Sequence, residues 1–279
     1  MHTTVPQSPA PLNKTALLLL VVLMLGIAGC RPPTGALRPT PVGTIPEHTL
    51  AALASADRFD GTFQALTRIE LSGDRGAYPL KAAILMKWPD ALRIEHLPLL
   101  GPPDFFMTLA GSRLQISVPG EKAYWTGAPN RENLSSFLPI GLSGGELIAL
   151  LRGSCPPGEG ITSVRTVPEA DTDAGRLDLF DPYGKRLTLW TDPASRHVQR
   201  CTRFAEDGKE LYTVRFEDYR LLSGRPWPMR IRFTAPGPPA TKMSVRYTDP
   251  VLSPDTVPER FDLPIPPGTL PRRLPEGSP

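Results

Sequence analysis

Residues 91–120, ALRIEHLPLLGPPDFFMTLAGSRLQISVPG, carry the pattern that decides the fold. Apolar and charged side chains alternate over residues 92–95, and apolar and polar side chains alternate again over residues 113–118. This period of two is typical of a strand with one buried face and one solvated face. Gly and Pro residues separate the two runs at 101–103 and 111 and mark turns. The stretch therefore predicts antiparallel strands joined by short connections.

The same alternation continues along the chain, for example over residues 176–179 and 242–247. Turn sequences separate the runs, as at Asp181–Gly184 and Asp207-Gly208. About ten or eleven strand candidates follow one another in this way, and a sheet of that many strands must curl. We expect a mainly β fold, an incomplete and strongly curled antiparallel β-barrel that encloses a hydrophobic cavity.

Two short helices interrupt this pattern. Residues 46–58, PEHTLAALASADR, place leucines and alanines on one face. The second helix lies within residues 142–153, LSGGELIALLRG, where Ser143 and Glu146 have capping-box spacing and Gly153 supplies a stop. Because the second helix is apolar almost all round, we expect it to be buried and to plug part of the cavity.

The apolar side chains that alternate with polar ones along the strands are the candidates for lining the cavity, although plain core packing is the alternative for each. They are Leu92, Ile94, Phe106, Leu114, Ile116, Leu177, Leu179, Leu187, Leu189, Ile231 and Phe233.

The N-terminus predicts export and lipid attachment. Lys14 is followed by the apolar run ALLLLVVLMLGIAG, which has signal-peptide length and ends in Gly29-Cys30. This order resembles a bacterial lipobox, so we expect residues 1–29 to be a cleaved signal and Cys30 to carry diacylglycerol and palmitate. The alternative is an ordinary signal peptide followed by an incidental cysteine.

Composition divides the remaining chain. Residues 30–46 are rich in Pro and predict an extended tether. Residues 47–262 hold the strand pattern and form the predicted domain, and residues 263–279 predict a Pro-rich, unpacked tail.

Charge and cysteine content limit the function classes. The net charge of +3 does not favour a nucleic-acid partner, and alternation along the strands suggests solvated faces rather than a basic patch. Besides Cys30, the chain has Cys155 and Cys201, which form either a disulfide or two separate buried thiols. The four histidines are scattered, so no metal site is predicted.

One loop is unusual for its composition. Residues 96–104, HLPLLGPPD, place Leu99 and Leu100 among residues that break helices and strands. Such loops lie on the surface, so the sequence allows either two leucines at a solvent-facing tip or a loop that folds back onto the domain.

Three segments together resemble LolB, the outer-membrane lipoprotein receptor, and the wider LolA/LolB superfamily. They are ALRIEHLPLLGPPDFFMTLAGSRLQI, FLPIGLSGGELIALLRGSCP and GKELYTVRFEDYRLLSGRPWPMRIRFTA, and the similarity covers roughly residues 47–262. LolB-like proteins have an incomplete barrel around a hydrophobic cavity, and LolB carries an exposed Leu before the Gly of a protruding loop. Leu100 matches that position, with Leu99 beside it.

The resemblance implies a function. It implies an outer-membrane, lipid-anchored protein facing the periplasm that accepts lipoprotein acyl chains from a LolA-like carrier and passes them on. Leu99 and Leu100 would contact the membrane. We expect a monomer without cofactors and without enzymatic activity. Departures from the family are the second loop Leu, Pro102-Pro103, the cysteine pair and the Pro-rich tail.

Three other functions remain open at the sequence level. One is a cell-envelope lipid-binding or assembly lipoprotein that does not transport its ligand, and another is a protein that binds free lipids or lipid-linked glycans. The third is an esterase, because Gly141–Gly145 fits G-x-S-x-G around Ser143, and Asp192 and His197 follow in order. The motif belongs to alternating β and α elements, which this sequence lacks, so the esterase is disfavoured.

Overall fold

Fifteen strands, joined side by side in one sheet, dominate the computed structural model, which describes residues 43–44, 61–73, 76–168, 175–192, 194–195, 197–237, 240–254 and 258–276. In chain order the strands are β1 Gly43–Thr44, β2 Thr62–Gly73, β3 Gly76–Lys87, β4 Ala91–His96, β5 Phe105–Ala110, β6 Arg113–Val118, β7 Ala123–Gly127, β8 Ser163–Pro168, β9 Gly175–Asp181, β10 Gly184–Thr191, β11 Val198–Phe204, β12 Glu210–Leu222, β13 Arg225–Ala235, β14 Thr241–Ser253 and β15 Pro271–Arg273. The α-helices of the described residues are α1 Arg131–Ser135 and α2 Gly144–Leu151, and two short 3-10 helices span Pro119–Glu121 and Pro258–Phe261.

The sheet is open. Its order is β1-β8-β9-β10-β11-β12-β13-β14-β2-β3-β4-β5-β6-β7-β15, and all pairs are antiparallel except β7 with β15. Because β1 and β15 stand at opposite ends of this order, the curled sheet does not close. The prediction of a mainly β, incomplete barrel is confirmed, although the observed strands outnumber the predicted ones.

The predicted signal (residues 1–29), Cys30, most of the tether (30–46) and the predicted helix 46–58 lie outside the described residues. Among the residues that are described, no helix is both long enough and apolar enough to cross a membrane.

Alternation places the core on one face of the sheet. In β2, for example, Phe63 and Ala65 are buried whereas Gln64 and Leu66 are exposed. The buried phases of neighbouring strands align through the register, so one continuous apolar core lies inside the curl, with α2 packed against it. We call the face of the sheet that carries this core the concave face and the other the convex face.

Phe106 lies on the convex face, and its assignment to the cavity is therefore wrong. The register sets it opposite Glu95 and Ser117, whereas Met107, its neighbour on β5, pairs with partly buried Ile94 on the concave side. The Arg93 guanidinium stacks over the Phe106 ring, 5.8 Å from its centre. The strand sequence FFMTLA is apolar at successive positions, so alternation alone does not determine its phase.

The C-terminal segment also departs from its prediction, because its described part packs against the sheet. Phe261 is 3 % exposed and forms a second apolar cluster with Leu85 and Ala91. Gln115 donates from Nε2 to both Tyr124 Oη at 2.7 Å and Asp262 Oδ1 at 3.1 Å. The chain then adds β15 alongside β7. Residues 258–276 are therefore part of the folded domain rather than an unpacked tail.

Candidate functional site

The candidate site is the apolar concave face together with α2, which covers it. Ser143 is the N-cap of α2, and its Oγ accepts a hydrogen bond from Glu146 N at 3.3 Å. The Glu146 carboxylate in turn accepts from Ser143 N at 2.9 Å, which completes the capping box predicted from the sequence. A Cβ at Gly144 would lie 2.8 Å from Pro129 Cβ, so this first turn needs a glycine.

Polar contacts fix both ends of α2. At its start, Tyr212 Oη donates to Glu146 Oε1 at 3.3 Å. At its end, Tyr247 Oη donates to the Leu151 carbonyl at 2.6 Å, and Arg152 stacks 4.1 Å above the Trp88 ring. Burial raises the pKa of Tyr247 and of Tyr212, so both phenols remain protonated donors.

A disulfide anchors the chain just beyond α2. Cys155 and Cys201 are bonded, with Cα atoms 6.5 Å apart, and both residues are buried. Since Cys201 lies within β11, the bond ties the segment that follows the helix directly to the sheet. Of the two arrangements that the sequence allowed, the structure has the paired cysteines.

The concave face is closely packed. Eight of the predicted lining residues are at most 1 % exposed; they are Leu92, Leu114, Ile116, Leu179, Leu187, Leu189, Ile231 and Phe233. Ile94 and Leu177 are partly buried against the same core. Side chains this inaccessible contact no space large enough for a water molecule. With α2 in place, the face is therefore an apolar wall beneath a helix, and an acyl chain has no open cavity to enter along these residues.

The leucine loop joins β4 to β5 and protrudes. Leu99 is 92 % exposed and Leu100 is 88 % exposed, so neither packs back onto the domain. The base of the loop is fixed by a 2.5 Å contact between His96 Nδ1 and Asp104 Oδ1 and by a hydrogen bond from Leu97 N to the Lys81 carbonyl at 2.8 Å. The structure thus presents two apolar side chains to solvent on a supported loop, which is the first of the two arrangements that the sequence allowed.

The three residues of the esterase hypothesis have other contacts in the structure. The Ser143 hydroxyl belongs to the capping box, where it lies 3.0 Å from Glu146 Oε2. Asp192 and His197 both contact Ser195, through Oδ1 at 2.7 Å and Nδ1 at 2.5 Å respectively. Burial lowers the pKa of His197, whose ring also lies against Tyr219 with 3.8 Å between the ring centres.

A groove that sequence reasoning missed lies on the convex face. It has a volume of about 460 Å³ and is lined by Gln64, Ala65, Leu66, Ala83, Ile84, Leu85, Arg93, Glu95, Asp249 and Arg260. Arg260 comes from the C-terminal segment, and its backbone carbonyl accepts a hydrogen bond from Arg93 Nη1 at 2.8 Å. Because the groove depends on that segment packing across the sheet, no single strand pattern indicates it.

Comparisons with known proteins support the fold. Neither a protein-family model nor a curated protein sequence matches the chain. Among solved structures, a LolA superfamily protein from Nitrosomonas europaea is similar at 17 % identity and a TM-score of 0.56, over 77 % of this chain and 97 % of that one.

Two further structures are similar. A DUF1329 family protein from Desulfovibrio piger has 8 % identity and a TM-score of 0.60, over 77 % of this chain and 95 % of that one. A domain from Vibrio parahaemolyticus, described as that of an outer membrane lipoprotein-sorting protein, has 12 % identity and a TM-score of 0.54 over the same shares. The chain therefore has the fold of these structures, one of which is a LolA superfamily protein, and the likeness does not single out LolB.

Proposed function

We propose that this protein is an outer-membrane, lipid-anchored lipoprotein that holds acyl chains against its concave face and takes part in receiving lipoproteins from a LolA-like carrier. The observation that carries the proposal is a broad apolar sheet face against which α2, a helix of only two turns, is packed. A helix of this length is not stable alone. It holds its place through packing and end contacts, and it can be exchanged for another apolar body.

The leucine loop supports the membrane side of the proposal. A leucine transferred from water into a bilayer gains about 1.5–3 kcal/mol. Leu99 and Leu100 together supply too little to anchor the protein, but enough to orient it at a surface to which Cys30 tethers it. The protruding tip and the exchangeable helix are the two parts that delivery of an acyl chain needs.

The close packing of the concave face favours one alternative, a lipid-binding or assembly lipoprotein that does not transport its ligand. Neither proposal involves an enzymatic activity, and in both the Ser143 hydroxyl serves the cap of α2. A transfer assay separates the two. Protein with Cys30→Ser, which lacks the acyl anchor, is mixed with a LolA-type carrier loaded with an acylated lipoprotein. Movement of the lipoprotein supports reception, and uptake of a fluorescent fatty acid without such movement supports the alternative. If neither occurs, both proposals fail.

The delivery step is tested with Leu100→Glu. We expect this variant to fold and to accept cargo normally, but to deliver it poorly to vesicles, because the charged tip no longer enters the bilayer. Leu221→Glu is the matched control, since Leu221 is 73 % exposed in the β12–β13 hairpin at the opposite ends of the strands. Equal delivery by the Leu100 variant and the wild type would remove the loop from the mechanism.

A further inference from the structure

Basic side chains are scattered along the sequence but adjacent on the convex face. Along each strand they alternate with buried residues, and the register then aligns them across strands. One row on β13, β14, β2 and β3 consists of Arg230, Arg246, Arg68 and Lys81. A second row on β11, β12 and β13 consists of Arg200, Arg215 and Arg232. We call these seven residues the convex basic face.

The two rows form one continuous surface. Residues directly opposite each other across a strand pair have Cβ atoms about 5 Å apart. The rows meet on β13, where Arg230 and Arg232 are two positions apart and share a face. From β11 to β3 the surface crosses six adjacent strands, which at the usual strand spacing is about 24 Å.

Acidic residues neutralise only part of this surface. Glu217 contacts Arg232 at 3.1 Å and Arg230 at 3.7 Å, and Asp218 contacts Arg230 at 3.1 Å. Glu70 also lies on this face, opposite Ser244.

Four of the seven cations are exposed and have no acidic partner among the described residues; they are Arg68, Lys81, Arg215 and Arg246. Like charges directly opposite each other destabilise a sheet. The net charge of the chain is only +3, so general basicity does not explain the cluster.

The basic face adjoins the leucine loop. Lys81, the end of the first row, accepts the hydrogen bond from Leu97 N through its carbonyl, at the base of the loop that carries Leu99 and Leu100. An apolar tip beside a broad cationic surface is the combination that binds an anionic membrane interface. Six of the seven cations are arginines, whose planar guanidinium groups pair well with phosphate oxygens.

We propose that the convex basic face docks on the anionic headgroups of a phospholipid bilayer while the leucine tip inserts at its edge. The proposal rests on the membrane location given under the proposed function, and it adds a second contact surface with its own chemistry. Docked in this way, the unpaired cations gain phosphate partners, and the repulsion between opposed arginines is relieved.

The test uses the full chain with Cys30→Ser, so that no acyl anchor hides a weaker contact. Binding is measured to phosphatidylcholine vesicles and to vesicles of equal parts phosphatidylcholine and phosphatidylglycerol. The readout is the partition coefficient for the anionic vesicles divided by that for the neutral vesicles. Residues that all variants share contribute to both coefficients, so their contribution cancels in this ratio. In Arg68→Gln/Lys81→Gln/Arg246→Gln, called the patch variant below, we expect the ratio to fall at least about tenfold, since each cation at an anionic surface contributes about fivefold. The wild-type ratio falls with added salt.

The matched control is Arg220→Gln/Arg272→Gln/Arg273→Gln, which removes the same charge at exposed positions outside the convex basic face. We expect it to keep the wild-type ratio. We expect the patch variant to unfold at the same denaturant concentration as the wild type or at a higher one, which would exclude misfolding. Equal ratios for the wild type and the patch variant would overturn the proposal. Binding of polyglutamate without any preference for anionic vesicles would also overturn it, because that result would indicate an acidic protein partner. Fatty-acid uptake, measured without vesicles, should be the same in the patch variant as in the wild type. If no protein, wild type included, takes up a fatty acid, the result counts against the proposed function alone.

Discussion

The disulfide beyond α2 gives the sharpest quantitative prediction. Cys155 and Cys201 are 46 positions apart, so the bond closes a long loop in the unfolded chain. The chain-entropy relation for a loop of this length gives a stabilisation of about 4 kcal/mol at 25 °C. Removing the bond should lower the free energy of unfolding by most of this amount, because an alanine at either buried position introduces no polar group.

The measurement is equilibrium urea unfolding of Cys155→Ala/Cys201→Ala against the wild type, with Cys30→Ser in both backgrounds. We expect the midpoint of the variant to fall, and a reductant to shift the wild type toward the variant without affecting the variant. A loss of less than about 1 kcal/mol in the free energy of unfolding would refute the reasoning. So would a wild-type midpoint that does not shift under reductant, once thiol titration shows that both cysteines are free.

The same variant tests the role of α2. Because the disulfide ties the segment after the helix to β11, its loss removes one of the constraints on the C-terminal end of α2. Fatty-acid uptake should therefore become faster in the double variant. Unchanged uptake together with the expected loss of stability would show that α2 does not move during binding.

Three further predictions concern single side chains. Ser143→Ala removes the N-cap of α2 and should cost about 1 kcal/mol of stability, with any ester hydrolysis by the preparation unchanged; loss of such hydrolysis would support the esterase. Phe261→Ala should cost about 3–5 kcal/mol, because the ring is buried on the convex face; a cost near zero would mean that the C-terminal segment does not pack there. Burial lowers the pKa of His197, so the unfolded chain binds its proton more readily, and stability should fall as the pH drops through about 6.5. His197→Gln should flatten that slope, and an unchanged slope would assign it to other groups.

The strands and α2 could be predicted because their signals are local. Period-two alternation fixes which side chains of a strand are buried together, and the capping box at Ser143 with the stop at Gly153 bounds a helix by hydrogen bonding and backbone geometry. Gly153 has a φ of 80°, and a Cβ there would meet Pro228 Cγ at 2.6 Å, so the stop also permits a close packing contact. Each of these requirements involves residues only a few positions apart, so the pattern can be recognised in the sequence.

What the sequence could not predict depends on contacts between distant segments. The phase of β5 is set by its register with β4 and β6, because the run FFMTLA is apolar at successive positions and does not fix the phase by itself. The basic rows arise only when the register brings Arg246 opposite Arg68, which are far apart in sequence. Prolines suggested an unpacked tail, yet residues such as Leu263, 5 % exposed, hold it to the sheet.

The energetics of α2 agree with an exchangeable plug. Four large side chains of the helix, Leu147, Ile148, Leu150 and Leu151, are buried. At about 1.5–3 kcal/mol each, uncovering them in water costs about 6–12 kcal/mol. An acyl chain of about fifteen methylenes gains about 12 kcal/mol when it is buried in their place. The two terms differ by at most about 6 kcal/mol, so in the proposed function an acyl chain that replaces α2 on the concave face would not be held irreversibly. Reversible holding is what a protein that receives an acyl chain and passes it to a membrane requires.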